Sequence, residues 1–268
     1  MSRSDDPSYR MAVGVLGWFG MAFLVFPVLL TIVVSFGGSV FIEFPPQSFS
    51  LKWYANIAEV QQIGRAVLIS LGVALATAAI ATVMAIPAAL AITRHDFPGR
   101  GTLVAFLVSP VTVPMVAIGI AVSQFFVWIG GGTGWFALLV GHTVLVSAYP
   151  VRTLVASLSL SNPSLEEAAA SLGATRWVAF RTVVLPQLMP GLVSGFLFAF
   201  LISFDNYPIS IFLVKGGLTT MPIEIFNYIS QNLDPTPAAF STIYVLIVSA
   251  VIVLAERRFG IVSLSVKG

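Results

Sequence analysis

The 268-residue chain contains no cysteine. Disulfides, thiolate zinc sites and cysteine nucleophiles are therefore excluded. Charge is nearly as scarce: Asp, Glu, Lys and Arg make up 9% of the residues, where a soluble domain carries about 25%. With 57% hydrophobic residues and a mean hydropathy of +0.97, too few polar side chains remain to coat a soluble core. The composition runs against a soluble enzyme, a nucleic-acid binder and a disordered chain. The pI of about 9.1 does not alter this, because the formal net charge is only +2 and no basic run exists. What is left is an integral membrane protein.

Long windows free of Asp, Glu, Lys and Arg are abundant. They read as six spans, roughly 11–36, 66–92, 103–129, 135–155, 188–213 and 237–256, each near the about 20 apolar residues a crossing helix needs. The third and fourth are separated by Gly130-Gly131-Gly132-Thr133-Gly134, a run that holds a helix poorly. The segments are continuously apolar rather than alternating, which excludes a β-barrel. No internal repeat of 20–50 residues is legible. The first span is too long for a cleaved signal core and no small-x-small site closes it, so it reads as a retained anchor. With both termini inside, Arg3, Arg10, Arg94, Arg100, Arg152, Arg176, Arg181, Arg257, Arg258 and Lys267 are cytoplasmic, against Lys52, Arg65 and Lys215 outside. The excess of inner positive charge selects that orientation. In the first outer loop, Trp53 and Tyr54 suggest a short interfacial helix with an aromatic anchor.

The informative polar segment runs from Ser159 to Pro190. Two helix starts are legible: Asn162 with Pro163 as an N-cap and first-turn pair, or Ser164 with Glu167 as a capping box. Gly173 then breaks the helix, as a C-terminal glycine in left-handed geometry does. A second short helix is expected from Ala174 or Thr175 to just before Pro186, with Arg176, Trp177, Phe180 and Arg181 giving it a basic, aromatic face. About thirty residues exceed what a connection needs, which marks the loop as functional.

Within it, Glu167-Ala168-Ala169, three residues, Gly173, nine residues, Val183, one residue and Leu185-Pro186 resemble the E-A-A-x3-G-x9-I-x-L-P signature. That signature marks the permease subunits of bacterial binding-protein-dependent ABC importers; the one departure is Val183 for Ile. The resemblance implies an all-α polytopic protein with the type I ABC importer permease fold: a single domain over 1–268 with six transmembrane helices and a cytoplasmic coupling loop at about 159–187. It implies ATPase-coupling roles for Glu166, Glu167, Ala168, Ala169, Gly173, Ala174, Arg176, Leu185 and Pro186. Implied partners are an ABC ATPase dimer, a second six-span permease in a heterodimer, and a periplasmic substrate-binding protein, all at the bacterial inner membrane. No cofactor is expected on this chain, and ATP and Mg are expected on the ATPase. The chain has no G-x4-G-K-[ST] phosphate loop, since the 130–134 glycines lead into Trp135 with no lysine.

Asp205 is the one acid placed within a span. Either it lines a translocation path with Asn206 and Tyr207 and favours a cation, or it sits solvated or bonded at the outer helix end. Pro208 helps open the helix there. Phe204-Asp205-Asn206-Tyr207 and Leu218-Thr219-Thr220-Met221-Pro222 also resemble the second permease of spermidine/putrescine-type importers. That branch implies a polyamine or similar small cationic solute; its relatives carry ferric ion, thiamine or opine-like amines. Pro110 and Pro114 kink span three, and Gly119 with Ala121 permits close helix contact. His142 reads as a hydrogen-bonded interior histidine or a proton relay. A secondary transporter or channel does not account for the coupling-type loop, and no inverted repeat is visible. An intramembrane serine protease fails because Gly191-Leu192-Val193-Ser194-Gly195 has the wrong spacing and no base is paired to Ser194.

Overall fold

Apolar runs of this length satisfy their backbone groups in hydrocarbon only as helices, and helices are what form. The structure is a computed structural model that describes residues 7–259. Arg3, Lys267 and both chain termini, which the charge count used, lie outside the described residues. The helices are α1 Pro7–Ser35, α2 Lys52–Glu59, α3 Gln61–Arg94, α4 Arg100–Val108, α5 Met115–Trp128, α6 Trp135–Val146, α7 Ala148–Leu160, α8 Ser164–Ser171, α9 Arg176–Ala179, α10 Leu185–Phe204, α11 Tyr207–Leu213, α12 Met221–Gln231 and α13 Thr236–Phe259. Among the described residues the sole β pairing is an isolated bridge between Gly37 and Phe49.

Five helical stretches are long and apolar enough to cross a membrane: Val13–Ser35, Gln61–Arg94, Trp135–Leu160, Arg176–Phe204 and Thr236–Phe259. A sixth passes as a pair, Arg100–Val111 with Met115–Trp128, bent by 100°. Pro110 and Pro114 flank that bend. A proline removes a backbone donor and its ring clashes with the preceding turn, so the sharp break has a local cause. The sequence reading of a kinked third span understated this angle.

The chain divides into two compact groups of residues, 7–61 with 227–250 and 62–226 with 251–259. In the first, Trp53 is buried and donates its indole N–H to the Gly37 carbonyl at 2.7 Å, while the Tyr54 hydroxyl meets Ser35 Oγ at 2.6 Å. The short helix expected from Lys52 to Tyr54 exists, but its aromatics pin α2 to the end of α1 instead of facing lipid. An indole with a buried N–H needs an acceptor, and a free carbonyl past the helix end supplies one. Asn56 then donates to Tyr228 Oη at 3.0 Å and Thr236 Oγ1 at 2.9 Å. Burial pushes the Tyr228 phenol above its ordinary pKa, so it stays protonated and donates to Asp234 at 2.8 Å.

In the second group, small residues set the helix spacing. Along α3, Ala74, Thr77, Ala78, Ala81, Ala85 and Ala89 are buried at helical intervals, which lets neighbouring backbones approach closely. On α10, Gly191 and Gly195 lie against α7. A Cβ on Gly191 would stand 2.9 Å from the Thr153 carbonyl oxygen, and one on Gly195 would stand 2.8 Å from Pro150 Cα. Thr153 Oγ1 uses the closeness to donate to the Gly191 carbonyl at 2.9 Å. The five residues dismissed as a protease motif are thus a close-packing G-x-x-x-G. Two apolar cores result: one around Leu138, Leu145, Ile209 and Leu213, the other around Ile92, Leu154, Leu158 and Leu188.

Candidate functional site

Two clusters of chemistry-bearing residues lie at the two ends of one helix. At its start is the 161–176 segment. Asn162 Oδ1 accepts the Ser164 amide at 3.0 Å, so the Asn-Pro start is the one in use. Glu166 and Glu167 sit in the first turn of α8, where the helix dipole favours acids. Gly173 has φ +84. The Ala174 amide donates to the Ala169 carbonyl at 3.0 Å and the Gly173 amide to the Ala170 carbonyl at 2.9 Å. That is the paired hydrogen bonding of a Schellman ending, whose left-handed residue is best supplied by glycine. Thr175 caps the next helix by accepting the Val178 amide at 3.4 Å.

The two neighbouring glutamates divide their roles. Glu166 Oε1 accepts from Arg94 Nη2 at 2.6 Å, and the same nitrogen reaches Ser161 Oγ at 2.7 Å. Glu167 is exposed, as are Ala168, Gly173 and Arg176, while Ala169 and Ala174 are half-buried. Leu172 is 89% exposed and Trp177 68% exposed, and the Trp177 ring stacks on Phe180 at 5.7 Å. Leu172 and Trp177 are thus bare apolar side chains on the same helical pair as the exposed Glu167.

The second short helix does not stop before Pro186. A π turn over Phe180–Val184 joins α9 to α10, giving one helical stretch from Arg176 to Phe204. Leu185 is half-buried and Pro186 exposed just past that turn. Pro186 falls in the first turn of α10, where a missing N–H costs least. Gln187 Nε2 donates back to the Val183 carbonyl at 2.9 Å.

At the far end the helix stops at Phe204, short of Leu213, where the sequence reading ends the span. Asp205 is its C-cap, with φ −96 and ψ 18, and is exposed. Asn206 is buried; its Oδ1 caps α11 by accepting the Ile209 amide at 2.9 Å, and its Nδ2 contacts Met115 Sδ at 3.5 Å. Its amide thus serves the chain's own backbone. Tyr207 is half-buried, its ring 5.2 Å from that of Phe226. Pro208 lies in the first turn of α11, so it begins a helix more than it opens one.

Behind this break lies a polar chain that sequence reasoning touched only at His142 and Asn206. The imidazole is 1% exposed, with Nδ1 2.8 Å from Ser203 Oγ and Nε2 3.0 Å from Ser210 Oγ. The Ser210 hydroxyl donates to the Asn206 carbonyl. Its single proton being spent, Nε2 donates to Ser210, and in the neutral ring Nδ1 accepts from Ser203. Ser203 also meets Thr77 Oγ1 at 3.0 Å. The interior-histidine reading describes this geometry: one ring from α6 bridges the end of α10 to α11.

Against this geometry, residues 81–262 match the family model of the binding-protein-dependent transport system inner membrane component. The chain belongs to that family. It is 29% identical over 242 residues to the putrescine transport system permease protein PotI of Escherichia coli K12, covering 88% of this chain and 85% of that one. It is 26% identical over 235 residues to the spermidine/putrescine transport system permease protein PotC of Haemophilus influenzae, covering 88% and 91%. In three dimensions it matches a chain of a bacterial ABC transporter involved in the import of the acidic polysaccharide alginate. There the TM-score is 0.70 at 15% identity, over 97% of this chain and 99% of that one. The importer-permease resemblance and the all-helical permease fold stand as read.

This family member brings Glu166, Glu167, Ala168, Ala169, Gly173, Ala174 and Arg176 together on one helical pair. Asp205, Asn206 and Tyr207 sit apart, at the other end of the 29-residue stretch. Among the described residues no group of three metal-binding side chains occurs. Sequence reasoning missed Arg94, Ser203 and Ser210, which join their partners across 72, 61 and 68 positions. No periodicity signals such pairs.

Proposed function

We propose that this chain is one of two different permeases of an ATP-driven importer in the inner membrane, with a polyamine or a similar small cationic solute as substrate. The helix-glycine-helix of 161–176 is the dock for the ATPase dimer, and that pair of exposed features, the free Glu167 beside apolar Leu172 and Trp177, carries the reading. ATP and Mg bind the ATPase, whose closure draws the docked helices inward and turns the permease pair outward. A periplasmic binding protein delivers the solute. Both termini and the dock face the cytoplasm, in keeping with the basic residues counted above. The relatives named for putrescine and spermidine transport favour a solute carrying ammonium groups. An exposed carboxylate at Asp205, where the helix breaks, is a group that attracts such a cation.

The test is putrescine uptake into proteoliposomes holding the two permeases, the ATPase and the binding protein. Wild type accumulates putrescine when ATP is supplied on the ATPase side, and Asp205→Asn lowers uptake while ATP hydrolysis persists. Uptake unchanged by Asp205→Asn removes Asp205 from the path. A complex that retains no ATPase on purification overturns the importer reading itself.

A further inference from the structure

We propose that Arg94 is a positioning residue that fastens the ATPase dock to α3, so that movement of the dock is transmitted into the membrane-spanning helices. This rests on the docking role given to the 161–176 pair. α8 buries none of its eight residues. A helix without a buried face has no apolar grip of its own, so a directional polar attachment has to fix where it points. Arg94 supplies it. It is the last residue of α3, and one guanidinium nitrogen holds Glu166 of α8 at 2.6 Å and Ser161, at the end of α7, at 2.7 Å. Ser161 Oγ in turn donates to the Leu158 carbonyl at 2.7 Å, closing α7. Three helix ends meet at one cation.

The arrangement is more specific than fold maintenance requires. The side chains are 19% and 30% exposed. The apolar cluster beneath, with Ile92, Leu154, Leu158 and Leu188, already holds α3, α7 and α10 together. What the ion pair adds is direction: a short charge-assisted bond from one planar guanidinium nitrogen shared between two acceptors fixes angle as well as distance. The partition between neighbours fits this use. Glu167, the first residue of the E-A-A match, is free to meet a partner, while Glu166, one position outside it, is held by the chain's own α3. A push on α8 then reaches Arg94 and the 34-residue helix behind it.

The experiment uses the complete complex in proteoliposomes with putrescine as the probe, reading putrescine taken up per ATP hydrolysed. Arg94→Ala is expected to keep the ATPase bound and hydrolysing while that ratio falls at least about fivefold, the lower end of ordinary coupling between sites. Arg94→Lys, which keeps the charge and loses the fork, falls between. The exchange of Arg94→Glu with Glu166→Arg restores most of the ratio. An unchanged ratio in Arg94→Ala overturns the proposal, as does an exchange that fails to recover any of it. Loss of the ATPase in Arg94→Ala also overturns it, since the pair then serves docking and not transmission. Glu167→Lys separates the two readings: if it leaves the ATPase attached and uptake intact, the docking role itself fails, whatever Arg94 does.

Discussion

His142 offers the sharpest quantitative prediction. Replacing it with Phe keeps a ring of similar bulk and deletes two hydrogen bonds, of 2.8 and 3.0 Å. Orphaning two buried hydroxyls outright costs about 1–3 kcal/mol each. Neither is orphaned: Ser203 still has Thr77 at 3.0 Å, and Ser210 still donates to Asn206. Buried hydrogen bonds in a membrane protein average about 0.6 kcal/mol, so His142→Phe should cost about 1–2 kcal/mol. His142→Ala also empties the space between α6, α10 and α11, and joins the about 2–5 kcal/mol class of large-to-small changes. The assay is thermal melting of the purified complex, followed by loss of the monodisperse peak, together with the apparent KM for putrescine. Melting should rank wild type above His142→Phe above His142→Ala. Because the ring spans the break at Asp205, KM should rise in His142→Phe even at temperatures where the complex is intact. Equal melting of His142→Phe and wild type, with an unchanged KM, would falsify the bridging role.

Two further predictions concern glycines and the dock. Gly195→Ala places a Cβ 2.8 Å from Pro150 Cα and should lower the melting temperature, since overpacking of about 1–3 kcal/mol exceeds the about 1 kcal/mol helix gain; Gly72→Ala, with nothing within 4 Å, should leave it equal or higher, and the reverse order in the same melt refutes the close-contact account of α7 and α10. Gly173, at φ +84 with open space around it, should tolerate Asn, which adopts left-handed geometry, and lose uptake with Val, whereas Glu167→Lys should release the ATPase while membrane insertion persists; co-purification and uptake of the three variants check both statements.

Much of the 161–176 helix pair was legible in sequence because its determinants are local. Asn162-Pro163 starts α8, and Gly173 ends it with the left-handed residue its hydrogen bonding demands. The six apolar spans were legible from length alone, and the structure has five plus a bent pair. What escaped depends on contacts made in space. Pro186 looked like a helix terminator, yet the π turn before it lets the helix run on. Residues 188–213 looked like one span, yet Asn206 caps α11 instead of continuing α10. Trp53 has the composition of a lipid anchor, yet a free carbonyl at Gly37 is near enough to take its proton. In each case a tertiary partner overrode a local preference that the sequence states correctly.

The continuity of the helix from Arg176 to Phe204 then bears on mechanism. At about 1.5 Å per residue, its 29 residues span somewhat more than the about 30 Å hydrocarbon core. Its first residue follows the glycine-hinged dock and its last precedes Asp205. Had the helix ended at Pro186, as the sequence suggested, a displaced dock would spend its motion at that joint. The π turn over Phe180–Val184 keeps the stretch helical past Pro186, and π turns are frequent at functional positions. The proposed dock is thus tied to the membrane helices three times, by backbone through Thr175 into this helix and through Asn162 into α7, and by Arg94 into α3. The two helices meet again where Thr77 touches Ser203, just before the break. On the proposed reading, a shift at the dock is expressed at the far end of this rod, the Asp205–Asn206 break.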